Sequence, residues 1–312
     1  SYEAGVTLDG DTKSIDFNTN DGAEIAHRKR DNLQVNGTAT MDLGPINLRL
    51  SGVLDNQEGQ SNGLPIHNMF NSERQSEYER KLNMVTVRGN YFVNPNMLVS
   101  VGVSTLNRTY ESYDGLFGAP GGFGDVLGWG DSATVVSKYS GDMATLVGNN
   151  WRSSYQSPNS YYFGQFPFAR EGDIATGWGK NERSTLGIDA GLTWQRGDHE
   201  IRVGFDQKNY SYKRFYLGTS AIGGVNRMIA SGDVTRDAAA GEGDAAVTAE
   251  LAGTNRSGNI GYDDYGNDVN DGLDGPREPS TTSFYVNDKY EAGDVVISLG
   301  VRVDQFNMDD WK

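Results

Sequence analysis

The chain has 312 residues, a net charge of −15 and no cysteine. That charge excludes a broad nucleic-acid surface, which needs a basic stripe, and the missing thiols exclude a disulfide framework, a thiolate metal site and a cysteine nucleophile. With 41 glycines, 16 tyrosines and 12 phenylalanines against 8 prolines, the composition favours sheet over helix.

No run of about 18 apolar residues occurs, so no membrane-spanning helix is expected. Ser1 does not open a charged-then-apolar leader, and no signal peptide is expected in this stretch. In residues 1–30, Tyr2, Ala4, Val6 and Leu8 alternate. This predicts an early strand leading into a loop.

From there to residue 312, eight segments alternate with period two, the mark of strands with one apolar face. Leu33, Val35, Ala39 and Met41 oppose Gln34, Asn36, Thr38 and Thr40. Ile46, Leu48, Leu50 and Leu54 oppose Asn47, Arg49, Ser51 and Asp55. Val85, Val87 and Tyr91 oppose Thr86, Arg88 and Asn90, and Val99, Val101 and Val103 oppose Ser100, Gly102 and Ser104. The second half repeats this with Leu186–Trp194, Ile201–Phe205, Phe284–Tyr290 and Val295–Val303, where Asp288 alone breaks an apolar face.

The connections alternate strictly. Those at 44–45, 94–96, 196–198 and 292–294 are tight turns, whereas 56–79, 114–182 and 218–279 are long. Outer-membrane β-barrels sort their connections this way, with short periplasmic turns and long extracellular loops. The expected fold is therefore all-β, an antiparallel transmembrane β-barrel segment with long extracellular loops. A soluble, acidic, calcium-stabilised β-sandwich that binds glycans is the alternative, since its strands alternate too. On the barrel reading the first strand runs toward the periplasm and the eighth ends outside, near Trp311. A complete small barrel has both termini in the periplasm, so an interior segment of a larger barrel is expected.

Phe284-Tyr285-Val286-Asn287-Asp288-Lys289, a short acidic turn and Leu299-Gly300-Val301-Arg302-Val303-Asp304 carry a resemblance. The stretch Tyr262–Trp311 resembles the mid-barrel of TonB-dependent outer-membrane receptors, most of all large ones with a carboxypeptidase-regulatory-like domain before the plug. Residues 31–113 resemble early strands of the same family less specifically. The resemblance implies a 22-stranded plugged barrel in the outer membrane of a Gram-negative bacterium. It also implies import of a scarce nutrient (siderophore, glycan or peptide) driven by an inner-membrane energising complex. Residues 1–30 would then be an early barrel strand or plug–barrel junction with an outer loop, and the partners would be outer-membrane lipid, a plug domain and the remaining strands. This stretch shows no energy-coupling box, plug or closing strand, so transport would belong to the intact protein. A surface-assembly or secretion barrel without import is the second functional class.

The candidate ligand-binding residues are aromatics of the 114–182 loop: Trp129, Trp151, Tyr155, Tyr161, Tyr162 and Trp178. They could stack on a ligand or simply supply a core for so long a loop. Tyr110 and Tyr113 could join an aromatic girdle at the membrane boundary. Arg49, Arg88, Asp189, Arg202, Asp206, Arg302 and Asp304 occupy polar faces and are expected to look into the lumen. Asp263, Asp264, Asp268, Asn270, Asp271 and Asp274 are dense enough to suggest calcium, though their spacing fits no EF-hand and a solvated acidic loop explains them as well. No other cofactor is expected. His27, His67 and His199 have no metal-ligand spacing, and Gly177-Trp178-Gly179-Lys180 lacks the phosphate-loop spacing, so no enzyme is expected.

Overall fold

The computed structural model describes residues 30–61, 66–150, 160–254 and 258–309. The expectations placed on residues 1–29, on Trp151 and Tyr155, and on Trp311 lie outside the described residues. Each of the eight alternating segments forms a strand. In chain order the strands are β1 (Arg30–Asp42), β2 (Ile46–Gln60), β3 (Ser76–Asn94), β4 (Met97–Asp114), β5 (Ser160–Phe163), β6 (Phe166–Ala169), β7 (Trp178–Arg196), β8 (His199–Leu217), β9 (Ser280–Ala292) and β10 (Val295–Asn307). Strands β5 and β6 pair only with each other. The rest form one antiparallel eight-stranded sheet in the order β1-β2-β3-β4-β7-β8-β9-β10. The sheet is open, and among the described residues β1 and β10 have one neighbour each.

Register makes the two faces continuous. In an antiparallel ladder, directly paired residues project on the same side. One row runs Met41, Leu48, Gly89, Val101, Ala190, Phe205, Phe284, Val303 across all eight strands. The adjacent row, projecting oppositely, runs Thr40, Arg49, Arg88, Gly102, Asp189, Asp206, Ser283, Asp304. The sheet thus has one apolar and one polar side. Among the described residues the apolar side is not packed against a second layer: Leu299 and Val301 are 71% and 70% exposed.

All four tight turns lie at one end of the sheet, where Gly44, Gly197 and Gly293 take positive φ (76°, 60° and 58°). The three long connections lie at the other end. Two are shorter than the sequence suggested. The first covers 61–75 rather than 56–79, and the second covers 115–177 rather than 114–182; the third, 218–279, stands as expected. The reason is that main-chain pairing needs no apolar side chain. Asn56–Gln60 carries no hydrophobic signal, yet it continues the ladder opposite Glu77–Lys81.

The connections are folded rather than irregular. The first holds a short helical segment, Ile66–Arg74. The second contains α1 (Phe123–Leu127), α2 (Ser132–Ser137) and α3 (Gly141–Asn150), and the third contains α4 (Thr219–Ser231), α5 (Arg236–Ala240) and α6 (Ala245–Thr254). Asp131 caps α2 by accepting from the Thr134 amide at 2.8 Å, and Gly232, at φ 82°, ends α4. Phe123, Val126, Leu127 and Trp129 pack with Ile222, Val225, Val247 and Leu251 over Trp178, Phe215 and Leu217 at the strand ends. Burying each such aliphatic side chain stabilises by about 1.5–3 kcal/mol. Among the described residues the hydrophobic core is this cap, not the sheet.

Candidate functional site

The polar face gathers all seven residues expected to look into a lumen. Arg49, Arg88, Asp189, Asp206 and Asp304 share one row, while Arg302 and Arg202 lie one and two rows nearer the turn end on the same side. Arg88 and Asp189 belong to strands separated by β4, yet their side chains meet at 3.3 Å. They can do so because Gly102 stands between them. A Cβ on Gly102 would lie 2.3 Å from Asp189 Oδ1. Arg302 Nε donates to Asp304 Oδ1 at 2.8 Å, and its Nη2 donates to Ser283 Oγ at 2.9 Å. Arg202 pairs with Glu200 at 2.5 Å, and Lys208 pairs with Asp206 at 3.6 Å.

Around Arg88, Asp189, Asp206, Lys208, Tyr285 and Arg302 the face forms a depression of about 420 Å³, with Ser100, Ser104, Gly187 and Gly191 in its lining. Small residues keep it open while charges of both signs surround it. Chemically it is a wet, zwitterionic wall suited to polar partners.

The loop aromatics separate into two groups. Trp129 and Trp178 are each 1% exposed and sit in the cap core, so neither offers a stacking face in this conformation. Trp178 Nε1 donates to Glu111 Oε1 at 2.8 Å, and Lys180 Nζ lies 4.1 Å from its ring centroid. Tyr161 is tied down: its hydroxyl donates to Glu171 Oε2 at 2.7 Å, and its ring meets Phe70 edge-on at 5.8 Å. Tyr162 is 68% exposed on the β5–β6 hairpin, beside exposed Phe163 and Phe166. Tyr113 is buried in the cap core, and Tyr110 stacks on Tyr78 at 5.8 Å.

Two of the acidic residues proposed for calcium are engaged by other groups, one within the loop and one by β8. Asp263 Oδ1 accepts from the amides of Tyr265 and Asn267, both at 2.9 Å, and Asp268 pairs with Lys213 at 2.7 Å. Burial, with Asp263 and Asp274 nearby, holds the Asp264 carboxyl above the usual carboxylate range. Asn270 and Asp271 lie on the exposed side of the loop or near it. Among the described residues no three acidic or histidine side chains converge as metal ligands.

Two arrangements escaped the sequence reading. Arg74 and Asp114 form a fully buried ion pair at 2.7 Å. Arg74 also donates to the carbonyls of Trp129, at 2.8 Å, and Gly172, so one side chain joins the first connection to the second. No local pattern marks such a pair, because its partners are forty positions apart. The other is His199 with Asp288: Nδ1 lies 2.8 Å from Oδ2 on the apolar side of the sheet. Asp288 was visible as the break in an apolar face, but nothing in the sequence named its partner.

No family model matches the chain, and no curated protein matches it either.

Proposed function

We propose that this chain forms part of the wall of an outer-membrane β-barrel of the TonB-dependent receptor type, taking up a scarce nutrient such as a siderophore, glycan or peptide. The observation that carries this reading is the largely apolar, exposed side of an eight-stranded antiparallel meander whose extensive core, among the described residues, lies in its loops. In water such a side is costly at about 25 cal/mol per Å² of apolar surface; in hydrocarbon it is the expected surface.

Strand length supports the same reading. The shortest of the eight, such as β10, has 13 residues. Such a strand reaches roughly 43 Å along its axis and, tilted by about 40°, spans the hydrocarbon core of a bilayer. The polar side would then line the lumen, the cap would stand outside the cell, and the open edges of β1 and β10 would pair with further strands. The two segments that carry the resemblance to the receptor family fall on β9 and β10, which pair with each other through the tight turn. Import is the part of the reading that rests on that resemblance.

Two measurements test it. The full-length protein should stay in the membrane after alkaline carbonate extraction and migrate differently on gels before and after heating. Recovery in the soluble fraction without detergent would overturn the barrel. Loss of uptake of a defined nutrient in a deletion strain, restored by the gene, would support import, and unchanged uptake across siderophores, glycans and peptides would favour an assembly or secretion role instead.

A further inference from the structure

Toward the turn end the apolar side carries a group of charged and polar residues. There Arg196, His199 and Tyr290 follow one another as directly paired residues of β7, β8 and β9. The Arg196–His199 pair is the last before the β7–β8 turn, so this row ends the apolar side on those two strands. Arg196 and His199 are exposed, and Arg196 makes no ion pair with another described residue. Its guanidinium lies 5.2 Å from the Trp194 ring, and the His199 and Tyr290 rings are 4.8 Å apart. One row further in stands Asp288, between Ile201 and Leu299. A carboxylate among apolar side chains is costly on a membrane-facing surface. Its Oδ2 meets His199 Nδ1, while Oδ1 is buried without a partner among the described residues.

We propose that Arg196, His199 and Tyr290 bind the phosphate of a phospholipid where the apolar side ends, with Asp288 orienting His199. This rests on the lipid-facing reading above. A guanidinium offers a planar fork of donors that matches phosphate oxygens. Nδ1 is taken up by Asp288, so Nε2 is the ring nitrogen left for the phosphate, while the Tyr290 hydroxyl supplies a further donor. The acyl chains would run along Trp194, Ile201 and Leu299. Charge complementarity selects the phosphate, and continuity with the apolar side selects a lipid over a free ion.

The test uses the full-length protein purified in dodecyl maltoside, a detergent without phosphate. Phosphatidylglycerol, diacylglycerol with the same chains, or inorganic phosphate is added, and the shift in Tm is followed. Phosphatidylglycerol should raise Tm saturably, and the other two should not. Arg196→Gln and His199→Gln should each raise the half-saturating lipid concentration by about tenfold, and Arg49→Gln on the polar side should leave it unchanged. Asp288→Asn should weaken the lipid response without lowering the lipid-free Tm; a purely structural Asp288 would do the reverse. An equal response to diacylglycerol, a full response to inorganic phosphate, or wild-type lipid binding by both glutamine variants would overturn the proposal and leave the barrel standing. A protein found soluble without detergent would overturn both.

Discussion

Arg74 ties together three parts of the cap, because its one side chain meets Asp114 and the carbonyls of Trp129 and Gly172. Its guanidinium is fully buried against Asp114 and two carbonyls. Burial pushes the Asp114 carboxyl up and the guanidinium draws it down. Replacing one member of such a pair leaves the other charged and desolvated, at about 3–5 kcal/mol. Arg74→Met should therefore cut amide protection across Phe123–Trp129 and Gly172 by two orders of magnitude or more (about 3–5 kcal/mol). Hydrogen exchange of the intact protein measures this, and protection in β7 and β8 near the turns should be unaffected. If the cap peptides exchange as in the native chain, the pair has no such role.

At the scale of elements, the strands were legible and the cap was not. Alternation in Val99–Val103 or Leu186–Trp194 is a local signal, set by a pleat that turns successive side chains to opposite sides. The tight turns were legible for the same reason, since Gly44, Gly197 and Gly293 take φ values that other residues rarely adopt. The period of α4, with 13 residues, was open to reading, but α1 and α5 have five residues each. At that length no 3.6-residue period can establish itself, and such helices form only through tertiary packing. For the same reason Trp129 and Trp178 looked like ligand-stacking candidates from composition alone, when packing from the 218–279 connection buries them.

The cap also has an alkaline signature. Burial, reinforced by Glu73, pushes the Tyr139 phenol up, and burial with Glu182 does the same to Tyr262. A phenol whose pKa is raised by folding contributes stability that is fully present below its unfolded value, near 10, and is lost as pH rises toward the folded value. Absorbance at about 295 nm, followed as pH is raised from about 9 to 12, should show exposed tyrosines ionising first. Tyr139 and Tyr262 should follow only as the cap opens. Replacing both by phenylalanine should shrink that late step, the remainder belonging to other cap tyrosines such as Tyr113; an undiminished step would assign it to those tyrosines alone.

For the whole molecule, everything turns on which medium meets each side of the sheet. Val101 and Ser100 are neighbours on β4 that project oppositely, Val101 in the apolar row with Gly89 and Ala190, Ser100 in the lining of the polar depression. Val101 is 47% exposed. If water met the apolar side, Val101→Lys would bury nothing, strain nothing and even raise solubility. If hydrocarbon meets it, the same lysine costs about 2–4 kcal/mol near the bilayer midplane, and Ser100→Lys, facing a wet lumen, costs far less. The expected outcome in the full-length protein is poor membrane assembly for Val101→Lys, read as loss of the heat-modifiable form, with near-normal assembly for Ser100→Lys. Equal behaviour of the two variants would mean that the sides do not meet different media. The reverse order would mean that the polar side is the one packed away from water. One pair of adjacent substitutions thus separates a membrane wall from a water-exposed sheet without knowledge of cargo, plug or partner.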